Sequence, residues 1–101
     1  MENQYQHTVL FVDDEPSILK SLKRVFRKED YTILTAENAD EGLQKLSELN
    51  GSITLIISDQ KMPGMNGAQF LEKSIKIAPD AMRFLLTGYS DMDAAIEAIN
   101  K

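Results

Sequence analysis

Asp59 follows a short, almost unbroken apolar run, Ile53, Leu55, Ile56 and Ile57, and is itself followed by Pro63, Gly64 and Gly67. Few folds accept both halves of that pattern. A run that is apolar at successive positions suits a parallel strand with helices over both of its faces. An ionisable side chain belongs after such a run only where the strand has reached the mouth of the sheet. The Pro and Gly residues then predict a tight loop leading into a new helix. Open α/β sheets bind ligands outside the carboxyl ends of their strands, which is where this reading puts Asp59.

The rest of the chain repeats the theme. Thr8 to Val12 predicts a first buried strand, which ends in Asp13, Asp14 and Glu15. Pro16 suits the first turn of a helix, and Ile18, Leu19, Leu22, Val25 and Phe26 recur at helical spacing after it. A second strand, about Thr32 to Ala36, follows a turn at Lys28 to Tyr31. Ala39, Leu43, Leu46 and Leu49 then mark a helix stopped near Asn50 and Gly51. After Gly67, Ala68, Leu71, Ile75 and Ala78 define one face of a third helix, closed before Pro79. Met82 to Thr87 reads as a fourth strand, and Ser90 with Asp93 as a capping box that opens a fourth helix. Strands alternating with helices predict an α/β domain with a doubly wound parallel sheet, spanning residues 1–101.

Composition narrows the function classes. With 43% hydrophobic and 27% charged residues, the 101-residue chain has the mixture of a single folded domain. No segment has the length of a membrane span, and the start lacks the features of a signal peptide, so the expected location is cytoplasmic with no membrane partner. The absence of cysteine removes disulfides, thiolate metal sites and cysteine nucleophiles. A net charge of -5 argues against direct nucleic-acid binding. Lys20, Lys23, Arg24, Arg27 and Lys28 share one helix and read as its solvated face. His7 has no second His or Cys with which to share a metal and reads as a surface residue.

Three of the four predicted strands end in polar groups: Asp13 with Asp14, Asp59, and Thr87. Parallel strands bring those ends to one edge of the sheet. Each has a plainer reading alone, the acids as helix or loop caps and Thr87 as a β-branched strand residue. Three neighbouring carboxylates repel one another, which raises a pKa or calls for a cation. Oxygen ligands select a hard one, Mg²⁺ or Mn²⁺, and Mg²⁺ pairs carboxylates with phosphate oxygens. A carboxylate beside such an ion is a phosphoryl acceptor of a known kind, and the Thr87 hydroxyl would bond the phosphoryl oxygens.

From about Thr8 onward the chain resembles the receiver domain of two-component response regulators, whose fold is flavodoxin-like. The resemblance rests on Phe-Val-Asp-Asp-Glu-Pro at 11–16, Ser-Asp-Gln-Lys-Met-Pro-Gly-Met-Asn-Gly at 58–67 and Leu-Leu-Thr-Gly-Tyr-Ser at 85–90. It implies that Asp59 is the phosphoryl acceptor and that Asp14 binds Mg²⁺ directly, with Asp13 acting largely through water. It further implies that the Lys61 backbone carbonyl completes the metal site and that Thr87 is the switch hydroxyl. The implied donor is a phosphohistidine on a sensor histidine kinase, and the implied consequence is repacking around the fourth helix. The same phrases are similar to those of receivers fused to cyclic di-GMP phosphodiesterase or enhancer-binding activator domains, so the output domain is expected to be fused or separate.

Against the five strand–helix units that the resemblance implies, the pattern here ends after the fourth helix, C-terminally truncated before the last strand and its lysine. Lys101 ends a helical pattern and does not match that lysine. Slower phosphorylation, or a less stable phosphoprotein, is the expectation from losing this cation. An open fourth strand, Phe84, Leu85 and Leu86, is expected to favour self-association. Two other readings compete. A Mg²⁺-dependent phosphatase of the haloacid-dehalogenase-like kind would place a second Asp two residues after the nucleophile, where this chain has Lys61. A structural or protein-binding α/β module would leave the acids as idle caps.

Overall fold

A computed structural model describes residues 7–26 and 31–86. Its elements run β1 (His7–Val12), α1 (Pro16–Val25), β2 (Tyr31–Ala36), α2 (Ala39–Glu48), β3 (Leu55–Asp59), α3 (Gly67–Ile77) and β4 (Met82–Leu86). All pairings are parallel, in the order β2-β1-β3-β4. Chain direction across the sheet reverses between β1 and β3, so the crevice for a ligand opens at the ends of those two strands.

Alternation along the strands divides the core. Val9, Phe11, Leu55 and Ile57 face α1 through Leu19, Leu22 and Phe26. Leu10, Val12 and Ile56 face α2 and α3 through Ala39, Leu46 and Phe70. With helices on both sides, the sheet is doubly wound, as the sequence pattern predicts. Val9 to Val12 are all buried, which explains why β1 reads as an uninterrupted apolar run.

Differences from the expected elements are local. His7 and Tyr31 belong to β1 and β2 and pair across them in register, their rings 5.5 Å apart edge to face. Ile53 is buried but precedes β3. Val25 is exposed, leaving α1 a narrower apolar stripe than its spacing predicts. The face of α3 is the main correction. Gly67, Phe70 and Ser74 are buried, whereas Ala68 and Ile75 are exposed; of the expected face, Ala78 is buried and Leu71 packs partly buried against the core. The helix is rotated because the large Phe70 ring takes the core position.

Ser74 can be buried because its hydrogen bonds are met. Its hydroxyl donates to the Leu71 carbonyl at 2.6 Å and accepts from Arg83 Nε at 2.8 Å. The Arg83 guanidinium also donates to the carbonyls of Ser74 (3.2 Å), Ala81 (2.7 Å) and Ala78. A β4 cation therefore closes the C-terminal end of α3, where the helix dipole favours positive charge. Arg83→Met is expected to cost about 2–3 kcal/mol, since it leaves a buried hydroxyl and several carbonyls short of a donor. Urea unfolding checks this, and a loss under ~0.5 kcal/mol would show these bonds to be replaceable by water.

Candidate functional site

Asp13, Asp14 and Asp59 meet at the crevice, with one carboxylate oxygen from each lying within 4.8 Å of the others. Asp13 directly follows β1, and Asp59 is the last residue of β3. The pairing of Val12 with Ser58 holds the two strand ends level. Asp13 is buried, Asp59 half-buried and Asp14 exposed, so the group opens to solvent on one side. Among the described residues none of the three is paired with Lys, Arg or His.

The Asp13 carboxylate accepts a hydrogen bond from the Glu15 N–H at 2.9 Å. That bond turns the chain into α1, whose N-cap, Glu15, makes no side-chain cap of its own. Part of the capping reading of the acids is thus true of Asp13. Its carboxyl is nonetheless pushed up from 3.8 to about 6, first by burial and then by the charges of Asp59, Asp14 and Glu15, against the opposing Glu15 N–H.

A raised carboxyl pKa has a definite sign. Its contribution to stability is full below pH 3.8 and is lost as pH rises through about 6, where the buried group ionises. Above that range, holding the ionised Asp13 costs the metal-free fold about 3 kcal/mol. Asp13→Asn keeps an acceptor for the Glu15 N–H and drops the charge. It is expected to stabilise the metal-free protein by about 2–3 kcal/mol near neutral pH, with the gain shrinking toward pH 4. Urea titrations across that range check the trend, and a gain independent of pH would rule out ionisation as its cause.

The loop after Asp59 is tied down at several points. Gln60 N–H donates to the Leu86 carbonyl at 3.2 Å, and the Gln60 carbonyl accepts from Gly67 N–H at 3.1 Å. The Gln60 side-chain oxygen accepts from Ala68 N–H at 2.9 Å. Asn66 and Gln69 form a capping box, the Asn66 oxygen accepting from Gln69 N–H at 2.9 Å and the Gln69 oxygen from Asn66 N–H at 3.0 Å. Gly67 packs so closely that a Cβ there would lie 2.2 Å from the Asp59 carbonyl oxygen. From sequence Gly67 reads only as punctuation before α3, Asn-Gly at a helix start is the signal for Asn66, and Gln60 carries no signal of its own.

Of the residues expected at the site, the structure brings Asp13, Asp14 and Asp59 together and puts Lys61 in the exposed loop two positions after Asp59. Thr87 and Lys101 lie outside the described residues, as does the expected fourth helix. Three clustered carboxylates without a cationic partner among the described residues, one of them buried, are a donor set that fits a hard divalent cation.

Residues 9–101 match the family model described as the response regulator receiver domain. The hydrogenase transcriptional regulatory protein HoxA of Cupriavidus necator is 35% identical over 96 residues, covering 95% of this chain and 19% of that protein. The chain therefore spans about a fifth of the length of the curated relatives it matches. A response regulator receiver domain protein from Clostridium thermocellum superposes with a TM-score of 0.75 at 36% identity, covering 93% of this chain and 75% of that one. The receiver domain of the hybrid histidine kinase CckA gives 0.82 at 29% identity, covering 92% and 95%. Motifs, sheet order and acidic crevice agree with these likenesses: the chain belongs to the response regulator receiver domain family, the phosphoryl-accepting signalling modules of two-component systems.

Proposed function

We propose that Asp59 is the residue that accepts the phosphoryl group. The observation that carries this is the convergence of Asp13, Asp14 and Asp59 at the ends of β1 and β3, where the sheet reverses. Asp59 is the half-buried member, reachable by a donor yet fixed by its strand. Asp13, Asp14 and Asp59, with the Lys61 carbonyl that the resemblance implies, would hold Mg²⁺, which would neutralise charge on the carboxylates and on the incoming phosphoryl oxygens. The Asp59 carboxylate oxygen attacks phosphorus, the phosphorus–nitrogen bond of the donor phosphohistidine breaks, and the imidazole leaves with the bonding electrons. The Thr87 hydroxyl bonds the phosphoryl group and carries the change to a binding face, a role that rests on the resemblance of Leu-Leu-Thr-Gly-Tyr-Ser.

The donor is a sensor histidine kinase, which sets the compartment as the cytoplasm. No helix among the described residues is long and apolar enough to cross a membrane. The output is transcriptional regulation by a fused or separate domain, a reading supported by the likeness to the hydrogenase transcriptional regulatory protein HoxA. The module acts in signalling, and Lys61, at the place where a phosphatase of the haloacid-dehalogenase-like kind has its second Asp, argues against that alternative.

Incubation with acetyl phosphate and Mg²⁺ tests the reading. One added phosphoryl group, removed by hydroxylamine and absent in EDTA, is the expected result. A folded protein that gains none would overturn it.

A further inference from the structure

Gln60 stands between the acceptor Asp59 and the cation ligand Lys61, and three hydrogen bonds tie it to two elements, β4 and α3. Its N–H reaches the end of β4 at Leu86, its carbonyl takes the first N–H of α3 at Gly67, and its side chain takes the second at Ala68. The two backbone bonds are available to any residue at this position except Pro, which lacks the N–H. The side-chain bond is not.

Helix capping alone accounts poorly for that bond. Ala68 is exposed, so water can satisfy its N–H, and the net gain to the helix from a protein acceptor is small. The third orphan donor of α3, Gln69 N–H, already has Asn66. The larger effect falls on Gln60 itself. Only a few soft backbone dihedrals separate the Asp59 carboxylate from the Lys61 carbonyl. Anchoring the Gln60 side chain to α3, which packs through Gly67 onto the Asp59 carbonyl, restricts them.

We propose that Gln60 is a positioning residue for the cation and phosphoryl site, acting through the hydrogen bond from Ala68 N–H to its side-chain oxygen. The inference rests on the reading of Asp59 as acceptor and of the Lys61 carbonyl as cation ligand. Partners that orient a metal's ligands typically change its affinity by about 10- to 100-fold. Here the expected effect is at the lower end, because the backbone bonds remain.

The test compares the whole chain with Gln60→Met, Gln60→Glu and Asn66→Ala, measuring Mg²⁺ affinity by calorimetry and the rate of labelling by acetyl phosphate. Gln60→Met removes the acceptor at nearly constant length and is expected to weaken Mg²⁺ about tenfold. Labelling then slows at low Mg²⁺ and returns toward the parent rate at saturation. Gln60→Glu keeps the acceptor and is expected to bind Mg²⁺ at least as tightly as the parent. Asn66→Ala removes a different α3 cap and is expected to lower stability while leaving the Mg²⁺ affinity unchanged. Unchanged affinity in Gln60→Met, with faster hydrogen exchange at Ala68 proving the bond lost, would overturn the proposal. So would an equal loss of affinity in Asn66→Ala, which would assign the effect to general loosening of α3. Gln60→Asn, too short for the bond, serves the same comparison if Gln60→Met does not fold. A parent chain that binds no Mg²⁺ overturns the reading of the site itself, a result distinct from failure of the Gln60 variants alone.

Discussion

Asp59→Asn is expected to reduce labelling by acetyl phosphate to background while leaving the far-ultraviolet circular dichroism of the parent. An amide has the shape of the carboxylate but no anionic oxygen to attack phosphorus, so the loss is of chemistry and not of fold. The substitution also removes a charge that holds the Asp13 carboxyl high. The metal-free variant should therefore be somewhat more stable than the parent near neutral pH, which separates loss of reactivity from loss of structure in one sample. Intact-mass spectra of both proteins after equal incubation decide the matter. Equal labelling would place the acceptor elsewhere, with Asp13 and Asp14 the first candidates.

Gly67→Ala should be the most damaging single methyl group that can be added near the site. The new Cβ would lie 2.2 Å from the Asp59 carbonyl oxygen and 2.7 Å from a Leu85 methyl, so α3 must move away from the end of β3. Backbone cannot yield as a flexible side chain can, and a cost of about 3 kcal/mol or more is expected, at the upper end for overpacking. Because the moved helix carries the anchors of Gln60, labelling should fall as well, even at temperatures where the variant stays folded. Gly64→Ala in the same loop provides the comparison. Its Cβ would meet nothing within 4 Å, and its strain comes only from a φ of 78°, so about 1 kcal/mol is expected. Similar urea midpoints for the two variants would remove the close contact as an explanation.

The central strands were readable because β1 and β3 carry apolar runs, Val9–Val12 and Leu55–Ile57, that are buried on both faces, whereas Thr32 and Thr35 interrupt β2 and Arg83 interrupts β4. The acidic crevice followed from parallel direction alone, since strands that point one way deliver their last residues to one edge. The orientation of α3 was not readable. Spacing favours Ala68, Leu71, Ile75 and Ala78, and Ser74 counts as polar until the Arg83 guanidinium, nine residues later, is seen to satisfy it. Gln60 was hidden for a related reason. A glutamine after an acid has no periodic signature, and its meaning depends on a helical N–H, that of Ala68, eight residues further on. Sequence patterns report burial along one element, whereas these residues act by joining two.

The buried Asp13 also bears on how the protein responds to its surroundings before any signal arrives. A group that lowers the stability of the metal-free fold, yet is suited to a divalent ion, makes folding and ion binding a single linked equilibrium. The ion stabilises the native state in proportion to the logarithm of its concentration over its dissociation constant. The fraction of folded receiver, and with it resistance to proteolysis, would then track free Mg²⁺. In Asp13→Asn that dependence should flatten.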